Sequence, residues 1–496
     1  MATSNNYIQS LKATSLFGGV QVYSILISII SAKFVAVLLG PEGMGISGLL
    51  SSTTGFISMA TCLGLGTSAV KDISLAYATG DMERFSLVTN VFRRLVWITG
   101  LLGMSVCLFF SPLWSKLTFD NSEYVLSFAV LSLTLLFGQI SSGQGVVLQG
   151  TRRFKDMAKS RMLGQTIGLC ISIPLFFFLG IQGIVPSIFI MSIVGLCLSY
   201  YFSRKVKVAR MKVPLRTVFN EGKQMLKVGF LIAMQGFASL LVVYLVRLYI
   251  SHEGGVAEVG LYNSGFGMVE TSVGMVFSAI AAEYYPRLSS LSNNTQEFSN
   301  AINQQIHLTI LLLTPLIVLF LLLGRLAIVI LLSTRFLGIT IMIQILVISM
   351  FLKAPGWCYG YAFLAKSDSK AFWLNEVTSE TIRLVSFIVA YKYWGLNGVA
   401  VAFFLLYVYY TMITGFLCNR RYGYRFDHDL LKKHLPQLCL LIVIFACISF
   451  VGGWLGFSLA MLLGSYSVYN SYRQLNQILN VREALQSTIR KVLNKG

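Results

Sequence analysis

The stretch Thr14–Leu39, TSLFGGVQVYSILISIISAKFVAVLL, is 26 residues long and carries one charge, Lys33. About 20 apolar residues cross the hydrocarbon core of a bilayer, so this run spans with some tilt. It closes at the turn Gly40-Pro41-Glu42-Gly43. A lysine at the centre of such a helix costs about 2.5–3.5 kcal/mol, and less near an end. Lys33 stands about six residues from the end of its run. It either snorkels to the headgroups or faces a polar cavity, and the two readings carry different functions.

The rest of the chain repeats this pattern. Of 496 residues, 55% are hydrophobic and 12% charged, with a mean hydropathy of +0.72; soluble domains carry about a quarter charged residues. Runs long enough to span begin at 14, 45, 95, 123, 160 and 183, and again at 226, 258, 305, 338, 372 and 396. Two shorter runs, 435–451 and 453–471, turn at Gly452-Gly453. The pattern predicts an all-α polytopic membrane protein of about 14 transmembrane helices. The last pair could equally form one bent or re-entrant element. The N-terminal MATSNNYIQSLK has no basic segment followed by a cleavage site, which predicts that the first run is kept as a helix. The eight cysteines lack a CxxC pair and fall mostly inside spans, where they read as small packing residues.

The formal charge of +20 would suggest nucleic acid in a soluble protein. Here 31 of the 39 Lys and Arg residues fall on one set of alternate loops, 3 on the other set and 5 within spans. Basic residues gather on cytoplasmic loops, so this asymmetry predicts both termini in the cytoplasm and removes the nucleic-acid reading. The segment Leu75–Arg94 is amphipathic with a basic end, and the spacing predicts a surface helix along the headgroups. The polar tail, 472–496, predicts a cytoplasmic helix.

Two halves align at an offset of about 215 residues. Gly45-Ile46 falls on Gly260-Leu261, Lys71-Asp72-Ile73-Ser74 on Pro286-Arg287-Leu288-Ser289, and Ile181-Gln182-Gly183 on Leu396-Asn397-Gly398. Six spans per half make the repeats parallel, related by an axis along the membrane normal. The expected organisation is a six-helix bundle over 1–205, a connector over 206–225 and a second bundle over 226–420, the bundles flanking a central cavity. An extra helical hairpin (421–471) and the cytoplasmic tail follow. The offset also sets Lys33 one residue from the counterpart of Arg247.

Five basic residues lie inside spans: Lys33, Arg247, Arg325, Lys353 and Arg383. Three acidic residues lie at comparable depth: Glu270, Glu376 and Glu380. Glu376, Glu380 and Arg383, spaced i, i+4, i+7, share one helix face, which lets Glu380 and Arg383 pair. The remaining balance is cationic and suits an anionic group such as phosphate or pyrophosphate. Arg325, near a span end, is equally suited to snorkelling. Glu270 and Glu380 are candidates for ion coupling. Trp357, Tyr359, Tyr361 and Gln144 are candidate sugar contacts, although helix packing accounts for most intramembrane tyrosines. No motif for ATP hydrolysis, metal binding or nucleophilic catalysis appears, and no cofactor is expected.

Four segments carry a family resemblance: Leu39-Gly40-Pro41-Glu42-Gly43-Met44-Gly45, Gly150-Thr151-Arg152-Arg153-Phe154-Lys155, Val259-Gly260-Leu261-Tyr262-Asn263 and Tyr285-Pro286-Arg287-Leu288-Ser289. Through them, over about residues 10–420, the chain resembles the Wzx-type O-antigen/lipid-linked oligosaccharide flippases. These belong to the multidrug/oligosaccharidyl-lipid/polysaccharide exporter superfamily. The resemblance implies a transporter, not an enzyme, in the bacterial cytoplasmic (inner) membrane. Its implied cargo is an undecaprenyl-pyrophosphate-linked O-antigen or capsule unit, moved between leaflets by alternating access. It further implies that Lys33, Arg247 and Lys353 hold the pyrophosphate, with membrane lipids and polysaccharide polymerase/ligase machinery as partners. The two extra helices resemble the MurJ-type lipid II flippases, whose substrate stays an alternative. A multidrug cation antiporter would want an acidic cavity, and a glycan ligase or polymerase a large outer loop; neither is seen.

Overall fold

A computed structural model describes residues 2–209 and 211–479, and among them the regular structure is entirely helical. In chain order the helices are α1 (Ala2–Leu38), α2 (Gly40–Cys62), α3 (Leu65–Ala78), α4 (Met82–Phe109) and α5 (Ser111–Phe119). There follow α6 (Val125–Gly150), α7 (Phe154–Leu179), α8 (Ile184–Ser203), α9 (Leu215–Gly254) and α10 (Val256–Ser290). The chain ends with α11 (Thr295–Leu331), α12 (Thr340–Ala365), α13 (Ser369–Tyr422), α14 (His428–Ala446) and α15 (Gly453–Leu479).

By length and composition nine described segments can cross a membrane, or ten if the pair α2–α3, bent by 46°, forms one span. The expected fourteen is not reached on that criterion. One reason is visible in the chain path. Phe154–Ser203 and Ser369–Tyr422 each pass as one long segment, yet both fold back on themselves. The first reverses in a 3₁₀ turn at Gly180–Gly183, and α7 packs along α8. The second breaks inside α13 at Gly395, whose φ of 58° and ψ of −148° only glycine adopts readily. The terminal pair is a hairpin: α14 runs into a short π-helical stretch, Cys447–Val451, and turns at Gly452-Gly453 into α15. Gln437 binds it together by donating to Ser467 and Ser471.

The surface explains why such a chain needs lipid. Phe178 is 80% exposed and Phe450 81%, and exposed Leu, Val and Trp side chains recur on most spans. Water would not tolerate this much apolar surface, whereas hydrocarbon is indifferent to it. Helical backbone bonds its own polar groups, which is what a bilayer requires of a spanning segment.

The chain divides by packing into two compact units, Met1–Leu261 with Leu331–Ser333, and Tyr262–Ile330 with Thr334–Gly496. In the first, α9 packs on α2, α3 and α4. The packing boundary thus follows α9, whereas the sequence repeat changes over in the connector 206–225. Two close crossings explain the attachment of α9 and of the start of α10. A Cβ on Gly64 would lie 2.2 Å from the Gly229 carbonyl oxygen. A Cβ on Gly45 would lie 1.9 Å from the Val256 carbonyl oxygen, and one on Gly260 1.8 Å from that of Pro41. Small residues let helix backbones approach this closely. Between the crossings Phe56 stacks on Tyr244 at 5.3 Å, and the Tyr244 hydroxyl meets Thr118.

One expectation fails in this unit. Leu75–Arg94 is not a surface helix. The chain turns at Gly80 (φ 75°), and Asp81 caps α4 by accepting from the Glu83 and Arg84 amides. Phe85, Val88, Val91 and Phe92 are then buried against α3 and α6. Of the tail, 472–479 continue α15, and 480–496 lie outside the described residues.

In the second unit the link from α13 to α14 is tied to α11. The buried Tyr424 hydroxyl donates to Asn303 Oδ1 (2.5 Å), Asn303 donates to the Arg425 carbonyl, and the Arg425 amide donates to Ser299. Burial and the neighbouring Tyr359 push the Tyr424 hydroxyl's pKa up, so it stays a donor. His307 on α11 meets His434 on α14 with Nδ1 and Nε2 2.9 Å apart.

Candidate functional site

The second unit contains a cavity of about 310 Å³ between α12 and the two arms of α13. The fold-back at Gly395 creates it, because it brings Tyr407 and Tyr410 of the second arm opposite Glu376, Glu380 and Arg383 of the first. The i, i+4, i+7 spacing sets these three on one face, and all three line the cavity. Arg383 Nη2 pairs with Glu380 Oε2 at 2.6 Å, and the Tyr410 hydroxyl donates to Glu376 Oε1 at 2.8 Å. Both carboxylates therefore have partners within the wall.

Lys353 of α12 is placed differently. Its ammonium lies 5.7 Å from the Phe277 ring centre and 5.6 Å from that of Tyr407. Ring faces attract a cation without neutralising it. Among the described residues no carboxylate lies within ion-pair distance of Lys353. Glu270 on α10 is exposed and near enough for its charge to act on Lys353. Trp357 and Tyr361, one and two turns further along α12, extend the wall; their ring centres are 4.7 Å apart, and Trp357 also stands 5.2 Å from Phe277. A cation held over aromatic faces with further rings alongside can bind an anion joined to a sugar or other flat hydrophilic face.

The cavity runs from Lys353 in mid-span to Leu364 and Phe372, which flank the turn Lys366–Lys370 on the side of the basic loops. Asp368 organises that turn. Its carboxylate caps α13 through the Ala371 amide (3.0 Å) and accepts from Arg421 (2.8 Å) and the Tyr422 hydroxyl (3.0 Å). These bonds, the Ala371 amide first, hold its pKa below the ordinary aspartate value. Lys366 donates to the Ser292 carbonyl and sits over the Phe298 ring.

The remaining candidates lie elsewhere. Tyr359 does not line the cavity; it is 3% exposed, meets Tyr424 and packs on Gly415. Arg325 is exposed on α11 between exposed Leu323 and Leu326, a position suited to snorkelling. Lys33 on α1 and Arg247 on α9 are both half-buried and both belong to the first unit. Gln144 lines a separate cavity in that unit, where its Oε1 accepts from Ser199 at 2.6 Å. Tyr407 and Tyr410, not among the expected contacts, lie in the run Tyr407-Val408-Tyr409-Tyr410, where their i, i+3 spacing puts them on one helix face.

Comparison with known proteins adds four findings. A family model described as "Polysaccharide biosynthesis protein" matches residues 34–341. The putative O-antigen transporter of Shigella flexneri is 22% identical over 417 residues, covering 82% of this chain and 96% of that protein. Among solved structures, the lipid II flippase MurJ in an inward closed conformation aligns with a TM-score of 0.69 at 15% identity, covering 95% of this chain and 99% of that one. An inward-facing multidrug resistance MATE family transporter of the MOP superfamily aligns with a TM-score of 0.68 at 16% identity, covering 82% and 96%. At such identities the structural likeness is one of fold.

Proposed function

Since the chain belongs to the polysaccharide biosynthesis protein family, we propose that it is a flippase for a lipid-linked oligosaccharide. It is a multi-pass membrane transporter, not an enzyme. The proposed cargo is an undecaprenyl-pyrophosphate-linked O-antigen or capsule repeat unit. The proposed direction is from the inner to the outer leaflet of the bacterial cytoplasmic membrane, by alternating exposure of the binding cavity. The charge asymmetry of the loops supports cytoplasmic termini. Six apolar runs in each half support a parallel repeat.

The observation that carries the reading is Lys353, an intramembrane cation set against the rings of Phe277 and Tyr407 and, among the described residues, in no ion pair. In this proposal Lys353 holds a pyrophosphate oxygen, with Arg383 beside it, and Trp357 and Tyr361 stack on sugar. Lys33 and Arg247, both of the first unit, are proposed as basic contacts for a phosphate in their own right. Glu270 is the preferred ion-coupling group, since Glu380 is engaged by Arg383. Lys353→Ala should abolish surface polysaccharide at unchanged protein level, and Lys353→Arg should retain part of it. Normal export by Lys353→Ala would remove the proposal. A lipid II substrate would show instead as rescue of peptidoglycan synthesis. A drug antiporter would show as drug resistance, which the basic cavity disfavours.

A further inference from the structure

The first unit holds a second cavity, of about 630 Å³, between α4, α6, α8 and the start of the connector. Its composition is divided. Arg93 and Arg204 line it at the basic-loop ends of α4 and α8, and Tyr200 lies with them; the Arg204 guanidinium carbon stands 5.7 Å from the Tyr200 ring centre. Among the described residues neither arginine is in an ion pair. Deeper along the same helices the lining becomes Trp97, Phe137 and Leu196, with Trp97 half exposed on the outer face. Gln144 adds an amide whose oxygen is already taken by Ser199, leaving its NH₂ as a donor.

We propose that this cavity is a binding site for an anionic glycerophospholipid of the leaflet on the basic-loop side. Its phosphate would sit on Arg93 and Arg204, and its acyl chains would run along Trp97, Phe137 and Leu196. Three observations favour a resident lipid. Two cations beside apolar walls match a charged headgroup joined to hydrocarbon, and basic pockets between helices on the cytoplasmic side recognise anionic headgroups. The volume is in the range of small-molecule sites. The exposed Trp97 opens the apolar end toward surrounding lipid. The occupant would also touch the connector, since Val206 and Val208 complete the wall. That segment is already pinned by Arg153 donating to the Lys205 carbonyl (2.6 Å) and by the pair of bonds joining Ala209 to Asn90 and Ser86. A bound lipid would thus fasten the connector to the first unit.

The test is native mass spectrometry of the full-length protein with phosphatidylglycerol, phosphatidylethanolamine, undecaprenyl phosphate or glycerol 3-phosphate. Phosphatidylglycerol should be retained preferentially. Arg93→Gln/Arg204→Gln should weaken it about 30-fold, on the scale of two surface cations near a lipid headgroup. Glycerol 3-phosphate alone should not compete. Equal retention of phosphatidylethanolamine, stronger retention of undecaprenyl phosphate, or undiminished binding by the double variant would overturn the proposal. A second readout needs no arginine change: brominated-chain phosphatidylglycerol in phosphatidylcholine vesicles should quench the emission lost in Trp97→Phe more than brominated phosphatidylcholine does. Equal quenching by the two lipids would count against it.

Discussion

Replacing Gly45 by alanine tests the packing that fastens the start of α10 to the first unit. The new Cβ would lie 1.9 Å from the Val256 carbonyl oxygen and 2.9 Å from Val256 Cγ1. Ordinary contact begins near 3.4 Å, so the backbones must separate by about 1.5 Å. The obstructing atom is main chain, which has no rotamer to escape into. Overpacking of this kind costs about 1–3 kcal/mol. Gly260→Ala meets the same obstacle from the other side, 1.8 Å from the Pro41 carbonyl oxygen. Both changes open one contact, so the double variant should lose clearly less than the sum of the singles. Gly138→Ala is the control: its Cβ would meet nothing within 4 Å, and alanine in a helix gains up to about 1 kcal/mol over glycine. Thermal unfolding in detergent, followed by helical circular dichroism, would read the four variants against wild type. Wild-type stability in Gly45→Ala, or a loss in Gly138→Ala equal to it, would refute the close crossing.

Three other outcomes follow from the second unit. Glu270→Gln should leave the protein folded and remove the dependence of transport on an ion gradient; transport that still follows the gradient would exclude Glu270 as the coupling group. Tyr424→Phe should destabilise by about 1–2 kcal/mol, because Asn303 loses a buried partner, and an unchanged unfolding midpoint would contradict that bond. Asp368 has a depressed pKa in the folded state, so its contribution is present in full above the ordinary aspartate value of about 3.9 and is lost as pH falls below it. Asp368→Asn should therefore flatten the acid limb of the stability–pH curve; an identical limb in variant and wild type would show that Asp368 contributes nothing there.

The sequence carried the helical architecture because bilayer thickness and loop charge both leave marks in one dimension. It also carried one wall of the cavity. Glu376, Glu380 and Arg383 fall on one helix face by spacing alone, as do Lys353, Trp357 and Tyr361. Tyr359, six residues from Lys353, is about 240° around the same helix, so its absence from the cavity was equally open to periodicity. The opposite wall was not legible in this way. Spacing puts Tyr407 and Tyr410 on one face, and the separate runs from 372 and 396 imply the reversal, but that this face meets Glu376 and Arg383 depends on how the two arms of α13 pack beyond Gly395. Leu75–Arg94 misled because an amphipathic stripe looks the same whether it covers lipid headgroups or a protein core. The Gly80-Asp81 break and cap were the features that distinguished them. Gly45 and Gly260 were paired by the repeat, but their contact is a matter of packing.

The most direct test of the central claim is translocation itself. Purified protein in proteoliposomes would be supplied with a fluorescent undecaprenyl-pyrophosphate-linked oligosaccharide, and its exposure to a membrane-impermeant glycan-cleaving enzyme followed with time. The account predicts exposure of the inner-leaflet pool with wild type and near-baseline exposure with Lys353→Ala. Baseline exposure with wild type, or equal rates for the two proteins, would contradict it.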